Sequence, residues 1–260
     1  MAHVYPDPLP CIDRPHKSRA VRLAEGVNRA AWRLRAELRA MSCPMPAYRE
    51  QRARSSVLTA AALGASVTGL LLLTRLALRP LPGRPDTTMT RLLQPRHSRL
   101  VTWGMMVLSA PGFAPLQHAL TVGTALDLWA FGHRREALFT MLSMGAGATT
   151  GVIKIAVGRP RPDPTYMRVT VHFRDKSFPS GHCTHYASFY GYLFYLAHRC
   201  MAPSALRTAI LVTCAGLIVL VAPSRVYLGH HWASDALAGD LVGLTYLFLL
   251  IKAYESVGVR

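Results

Sequence analysis

Acidic residues are scarce in this chain of 260: 13 Asp and Glu stand against 30 Lys and Arg, a formal net charge of +17. That imbalance raises nucleic acid as a partner. The cations form no zinc-finger or helix-turn-helix pattern, however, so no nucleic acid is expected. Eleven of them crowd between Arg14 and Arg54, just ahead of the first long apolar run. Basic residues in that position hold a membrane flank on the cytoplasmic side. Paired cysteines are missing too. Cys11, Cys43, Cys183, Cys200 and Cys214 are odd in number and contain no C-x-x-C, which argues against a disulfide framework or a structural zinc site. Three of them lie in or beside apolar runs, where Cys serves as a small packing residue. Residues 1–15 are polar and Pro-rich rather than a signal peptide, so insertion would rest on the first span itself. No internal repeat is evident.

Apolar runs are plentiful: they cover about 57–78, 113–132, 138–157, 183–197, 206–222 and 236–251. Several approach the ~20 residues that a helix needs to cross a bilayer core. The fold class expected is all-α, a six-transmembrane-helix bundle, multi-pass in the cell membrane, with a basic amphipathic helix at its N-terminus. The fourth run is the weakest, because Thr184, His185 and Ser188 interrupt it. It becomes a span if it begins at Ser180 and turns those groups toward a protein cavity rather than lipid. The Lys and Arg bias places both termini in the cytoplasm. Three parts follow: a basic cytosolic segment over 1–55, a six-span membrane domain over 56–254, and a short tail over 255–260.

Within the first part, residues 1–15 read as disordered. Over 18–41, Leu23, Val27, Ala30, Leu34 and Leu38 recur at three- and four-residue steps with arginines mostly elsewhere. That is a basic amphipathic helix suited to an anionic membrane surface, ended by Pro44 and Pro46. The connection from Pro80 to Pro111 is long. Residues 100–110 are apolar but too short to span, and read as an interfacial segment broken by Pro111-Gly112. Gly145, Gly147 and Gly151 allow close helix approach, with Gly147 and Gly151 at small-x-x-x-small spacing; packing inside the molecule is expected ahead of a homodimer seam. Asp127 reads as structural, paired with Arg134 or Arg135, and Asp240 either as a group that supports a site from below or, equally, as a member of a salt bridge or water-filled pocket.

Three distant clusters share one chemistry: Lys154 with Arg161-Pro162, Pro179-Ser180-Gly181-His182, and Ser224-Arg225 with His231 and Asp235. With alternating crossings, all three emerge on the same, non-cytoplasmic face. A phosphoryl group in transfer carries charge on its equatorial oxygens, which fixed cations stabilise in a partly dry site. Arg161 and Arg225 offer planar forks and Lys154 a point charge. Ser180 can cap the fourth helix and donate its hydroxyl, while Gly181 lets backbone N–H groups approach an anion at a helix start. Of the two histidines, a neutral His231 suits attack on phosphorus and a protonated His182 suits donation to the leaving oxygen, with Asp235 holding His231 in one tautomer.

These residues resemble the type 2 phosphatidic acid phosphatase (PAP2) superfamily, which also contains glucose-6-phosphatase and the vanadium haloperoxidases. The match comprises Lys154 with six residues before Arg161-Pro162, Pro179 to His182, and Ser224-Arg225 with five residues before His231 and three before Asp235. The resemblance implies a PAP2 or haloperoxidase-like bundle, a phosphohistidine intermediate, hydrolysis without metal or cofactor, and a lipid phosphate substrate. Phosphatidic acid, phosphatidylglycerol phosphate and polyprenyl diphosphate all fit. A phosphotransferase of the same fold, passing a phosphoryl or head group to a lipid or sugar, is the second reading. A soluble-type haloperoxidase and a non-catalytic transporter or scaffold rank below it. His182 with His185, or His230-His231 with Asp235, could suggest zinc, but the surrounding Lys and Arg would repel a cation. His185 then lines a cavity, His230 is an interfacial neighbour, and Arg159 is a loop charge.

Overall fold

The computed structural model describes residues 19–43, 52–79, 84–94 and 98–257; the readings for residues 1–15, Cys11, Pro44 and Pro46 lie outside them. Its helices are α1 (Arg19–Ala40), α2 (Arg52–Ala77), α3 (Arg84–Leu92), α4 (Arg99–Ser109), α5 (Leu116–Ala130), α6 (Arg134–Leu142), α7 (Gly145–Val157), α8 (Gly181–His185), α9 (Gly191–Cys200), α10 (Ala205–Tyr227) and α11 (Ala233–Val257). A π-helical turn, Tyr186–Tyr190, joins α8 to α9, so residues 181–200 form one continuous rod. No strand occurs among the described residues.

Four helical stretches among the described residues are long and apolar enough to cross a membrane: Val57–Ala77, Arg134–Val157, Ala205–Tyr227 and Ala233–Val257. Their outward faces are apolar and bare, as at Leu71, Leu72, Val212 and Val219, the pattern of a multi-pass membrane protein whose surface meets lipid. The expected count of six is not reached by this measure. α5 has only 15 residues, and the 181–200 rod carries the polar groups that weakened it in the sequence. Those groups point inward. Thr184 and Ser188 are fully buried; Thr184 Oγ1 donates to the carbonyls of Ser180 and Gly239, and Ser188 Oγ to that of His185. The rod is the buried centre of the bundle, so the hydroxyls of Thr184 and Ser188 are satisfied by protein.

Small residues decide how closely α11 lies on that rod, since lipid tails supply no hydrophobic drive between helices. A Cβ on Gly239 would stand 2.4 Å from the Ser180 carbonyl oxygen, and one on Gly243 would stand 2.6 Å from that of Thr184. The close seam therefore uses Gly239 and Gly243 on α11. Gly145 does pack tightly, against Tyr246, but nothing lies within 4 Å of a Cβ at Gly147 or Gly151. The sequence reading had the right motif on the wrong helix.

Three further expectations are corrected. Cys43 and Cys200 form a disulfide across a sequence separation of 157, although neither belongs to a local Cys pair. It fastens the end of α1 to the end of α9, where Ser42 N–H also donates to the Cys200 carbonyl and His133 Nε2 to that of Leu38. Arg134 stacks over Trp129 and Arg135 over Tyr254, rather than serving Asp127. Between α2 and α4, α3 fills part of the connection and buries Asp86 and Thr90. Beyond it α4 lies along α10, with Ser109 Oγ 2.9 Å from Ser224 Oγ, and gives way at Ala110–Gly112 to a 3-10 turn containing Pro111.

Candidate active site

The long loop 158–180 between α7 and α8 is built back over the ends of the bundle. Gly158 ends α7 with a left-handed φ of 64°, a conformation that favours glycine. Ser177 N–H donates to the Arg159 carbonyl, closing the loop on itself, and Trp232 Nε1 donates to the Pro160 carbonyl. From the other side, the turn between α10 and α11 passes through Gly229 with φ of 72°. A Cβ there would lie 2.0 Å from the Arg168 carbonyl. That contact is what brings His230 and His231 under the loop.

His231 is 1% exposed. Its Nε2 stands 3.2 Å from Arg161 Nη1. A guanidinium can only donate, so Nε2 is the nitrogen with the lone pair and Nδ1 carries the proton. On that side the carboxylate is not in direct contact, as Nδ1 and Asp235 Oδ2 are 3.6 Å apart, beyond hydrogen-bond range. The Ser177 hydroxyl lies between them, 3.4 Å from Nδ1 and donating to Asp235 Oδ2. Asp235 is held rigidly: its Oδ2 also accepts from Trp232 N–H and its Oδ1 from Arg159 Nη1. Burial pushes the His231 imidazole well below its ordinary value, and Arg161, Arg225 and Lys154 push it further. The ring is neutral at physiological pH.

The cations converge on the same spot. Arg161 Nη1 donates to the His230 carbonyl at 2.6 Å, while Nε and Nη2 grip the Asp175 carboxylate as a two-pronged fork, each at 2.9 Å. Lys154 Nζ reaches the same carboxylate at 3.2 Å and also donates to the Lys176 carbonyl. Burial would raise Asp175, but the hydrogen bonds and charges of Arg161 and Lys154 outweigh it and draw it down to about 2. Arg225 is 1% exposed; its Nε and Nη1 have no hydrogen-bond partner, and its guanidinium lies over Phe113 and Phe173. His182 meets the edge of Phe113 with ring centroids 4.3 Å apart and leaves its Nε2 without a partner. Gly112 makes room for it, since a Cβ there would be 2.4 Å from the His182 ring.

All eight residues expected from the sequence thus gather at one end of the bundle. Ser180 departs in detail: it occupies the N-cap position of α8 without making the side-chain cap bond. Its N–H donates to the Asp235 carbonyl and its hydroxyl is buried without a partner. Space in front of Gly181 is open. The unpartnered polar atoms of Ser180, His182 and Arg225 fit an anion with several acceptor oxygens, because burying such groups unpaired is costly.

Other residues were missed or misjudged. Arg159 is no loop charge: it is 4% exposed and bridges Asp235 to Asp86, Nη2 to Oδ2 at 2.5 Å. His230 is buried rather than interfacial, with Nε2 2.9 Å from Thr170 Oγ1 and its ring edge against Phe173. Burial, then Arg225 and Arg161, lower it to about 3. His185 stacks on Phe189 as a packing residue. Asp175 and Asp86 carried one faint signal. Each is the lone acid of a long basic stretch, between Pro164 and Pro179 and between Glu50 and Asp127 respectively.

Residues 136–257 match the PAP2 superfamily. Over 106 residues the chain is 37% identical to phosphatidylglycerophosphatase B of Bacillus subtilis (strain 168), a match covering 40% of this chain and 50% of that protein. Over 129 residues it is 30% identical to the lipid A 1-phosphatase of Rhizobium etli, covering 47% of this chain and 51% of the relative. The chain spans about half the length of the curated relatives it matches. A crystal structure described as the first transmembrane PAP2 type phosphatidylglycerolphosphate phosphatase from Bacillus subtilis superposes with a TM-score of 0.63. It covers 75% of this chain and 96% of that one at 24% identity, a likeness of fold.

Proposed function

We propose, from the match of residues 136–257 to the PAP2 superfamily, that the protein is an integral membrane phosphatase that hydrolyses a lipid phosphate or diphosphate through a phosphohistidine on His231. One observation carries the reading: a neutral imidazole with its lone pair on Nε2 lies beside Lys154, Arg161 and the unpartnered Arg225, His182 and Ser180 donors. The named activities of the relatives support a lipid phosphate as the substrate class.

In this reading the substrate phosphate takes over the contacts that Asp175 makes with Arg161 and Lys154, and Arg161 swings from Nε2 onto a phosphoryl oxygen. His231 Nε2 then forms the N–P bond as the bond from phosphorus to the lipid oxygen breaks. His182, protonated, gives its proton to that oxygen, and Lys154, Arg161, Arg225 and the Gly181 backbone neutralise the equatorial oxygens. Neutral His182 next accepts a proton from water as its oxygen attacks phosphorus, the N–P bond breaks, and inorganic phosphate leaves. Asp235, through Ser177, stabilises the charge that His231 acquires. An apolar cavity of about 350 Å³ lined by Leu70, Ile153, Leu241 and Tyr246, between α2, α7 and α11, gives an acyl chain a place within the membrane on the helix that carries Lys154.

Six crossings, cytoplasmic termini, an active site on the opposite face and α1 on the membrane surface complete the proposal. Purified protein in excess chelator is expected to release inorganic phosphate from a panel of lipid phosphates. Transfer of phosphate to a lipid or sugar acceptor with none released to water would instead favour the phosphotransferase. Activity lost on chelation would overturn the metal-free mechanism.

A further inference from the structure

Arg159 lies between two carboxylates in a region without solvent: Asp86, Arg159 and Asp235 have side chains no more than 2% exposed. Two negative charges share one positive charge, so the triad keeps a net charge of −1 beside the Ser177 hydroxyl that faces His231. Asp86 is fixed by more than the arginine. Its Oδ1 accepts from Ser234 N–H at 3.1 Å and its Oδ2 from Ser234 Oγ at 2.6 Å. Thr90, one turn along α3, accepts from Ala233 N–H. The first turn of α11, which carries Asp235, is thus docked onto a helix that the six-span reading treats as an outer connection.

We infer that Asp86 is a positioning residue of this site: by sharing Arg159 with Asp235, it leaves the negative charge of Asp235 only partly neutralised toward His231 and so raises the basicity of the nucleophile. Without Asp86, Arg159 would be matched to Asp235 alone, the triad would become neutral, and Nδ1–H would face a weaker acceptor. This inference rests on the reading of His231 as nucleophile. The other ionisable groups facing His231 are Lys154 on α7, Arg161 and Asp175 on the 158–180 loop, His182 on α8 and Arg225 on α10; none of them changes when Asp86 is neutralised.

Asp86→Asn keeps the shape and an oxygen for Ser234 N–H while removing the charge and the acceptor shared by Arg159 and the Ser234 hydroxyl. Loss of a negative charge makes His231 harder to protonate. The acidic limb of kcat/KM is therefore expected to move down by about one pH unit, with kcat reduced about tenfold and KM near that of the unaltered protein. Thr90→Val, which loosens α3 without touching charge, is expected to leave the limb in place. An Asp86→Asn protein that folds, shown by an unaltered elution profile in detergent, yet keeps the original limb would overturn the inference. Asp86→Ser is a second uncharged variant, and failure of both to yield folded protein would assign Asp86 to stability alone, which also overturns it. An unaltered chain that releases no phosphate from any lipid phosphate would instead remove the reading on which this rests.

Discussion

His231 and the groups around it make the sharpest claims at the scale of single residues. Replacing His231 or His182 by Ala is expected to lower phosphate release by roughly 10³-fold or more while detergent-purified protein stays folded. Normal turnover in either variant would remove that histidine from the mechanism. The pH dependence follows from the lowered imidazole of His231. It loses its proton well below 6.5 in the fold, so the acidic limb of kcat/KM is expected below 6.5. Arg161 is one of the charges that lowers it, so Arg161→Gln is expected to move the limb upward; a downward shift would contradict the assignment. The same shift bears on stability. The unfolded chain takes up a proton at His230 and His231 as pH falls below 6.5, whereas the fold does not, so the thermal midpoint in detergent is expected to fall from pH 7 to pH 5. Asp175 makes a different prediction: with its carboxylate on both Arg161 and Lys154, it competes with an incoming anion. Asp175→Asn is expected to tighten inhibition by inorganic phosphate or vanadate, and weaker inhibition would show that it orients the cations instead.

At the scale of helices, the 181–200 rod and α11 explain why hydropathy was a poor guide to the centre of the molecule. Thr184 and Ser188 weakened the fourth run because periodicity cannot report that their partners are carbonyls on neighbouring turns and on α11. That a Cβ at Gly239 would stand 2.4 Å from a carbonyl depends on which helix lies opposite, which the sequence does not report. Gly239→Ala is expected to cost about 1–3 kcal/mol of stability through overpacking, read as a lower thermal midpoint, whereas Gly147→Ala, facing open space, is expected to be neutral. Motif spacing located Lys154, Arg161, His182, Arg225, His231 and Asp235 because each motif is short and contiguous. Asp86 escaped because its partners lie far away along the chain, Asp175 because it belongs to no motif, and Arg159 because the motif register singles out Arg161 and gives no hint that its neighbour two residues earlier also turns inward. The Cys43–Cys200 disulfide was missed for the same reason, its members being 157 residues apart.

For the whole molecule, the site and the disulfide occupy opposite ends of the bundle: one surrounds the starts of α8 and α11, the other joins the ends of α1 and α9. Disulfides persist in oxidising compartments and are reduced in the cytosol, so this arrangement bears directly on orientation. The Cys43–Cys200 bond is formed in the structure, but with the termini in the cytoplasm it is expected to be held reduced in cells grown normally, its two thiols labelled only by a membrane-permeant maleimide. Labelling by an impermeant reagent after mild external reduction would place that end outside and reverse the proposed face. Part of the net charge of +17 is accounted for at this scale by the cations gathered at the candidate site and by the arginines of α1.

The central claim is that remote segments of the chain meet around one anion so that His231 can carry its phosphorus. The most direct measurement is mass spectrometry of protein quenched in base during turnover of a lipid phosphate, with the modified peptide sequenced. Phosphate on His231 is the predicted result, absent in His231→Ala; phosphate on another residue, or steady release with His231 never modified, would contradict the account.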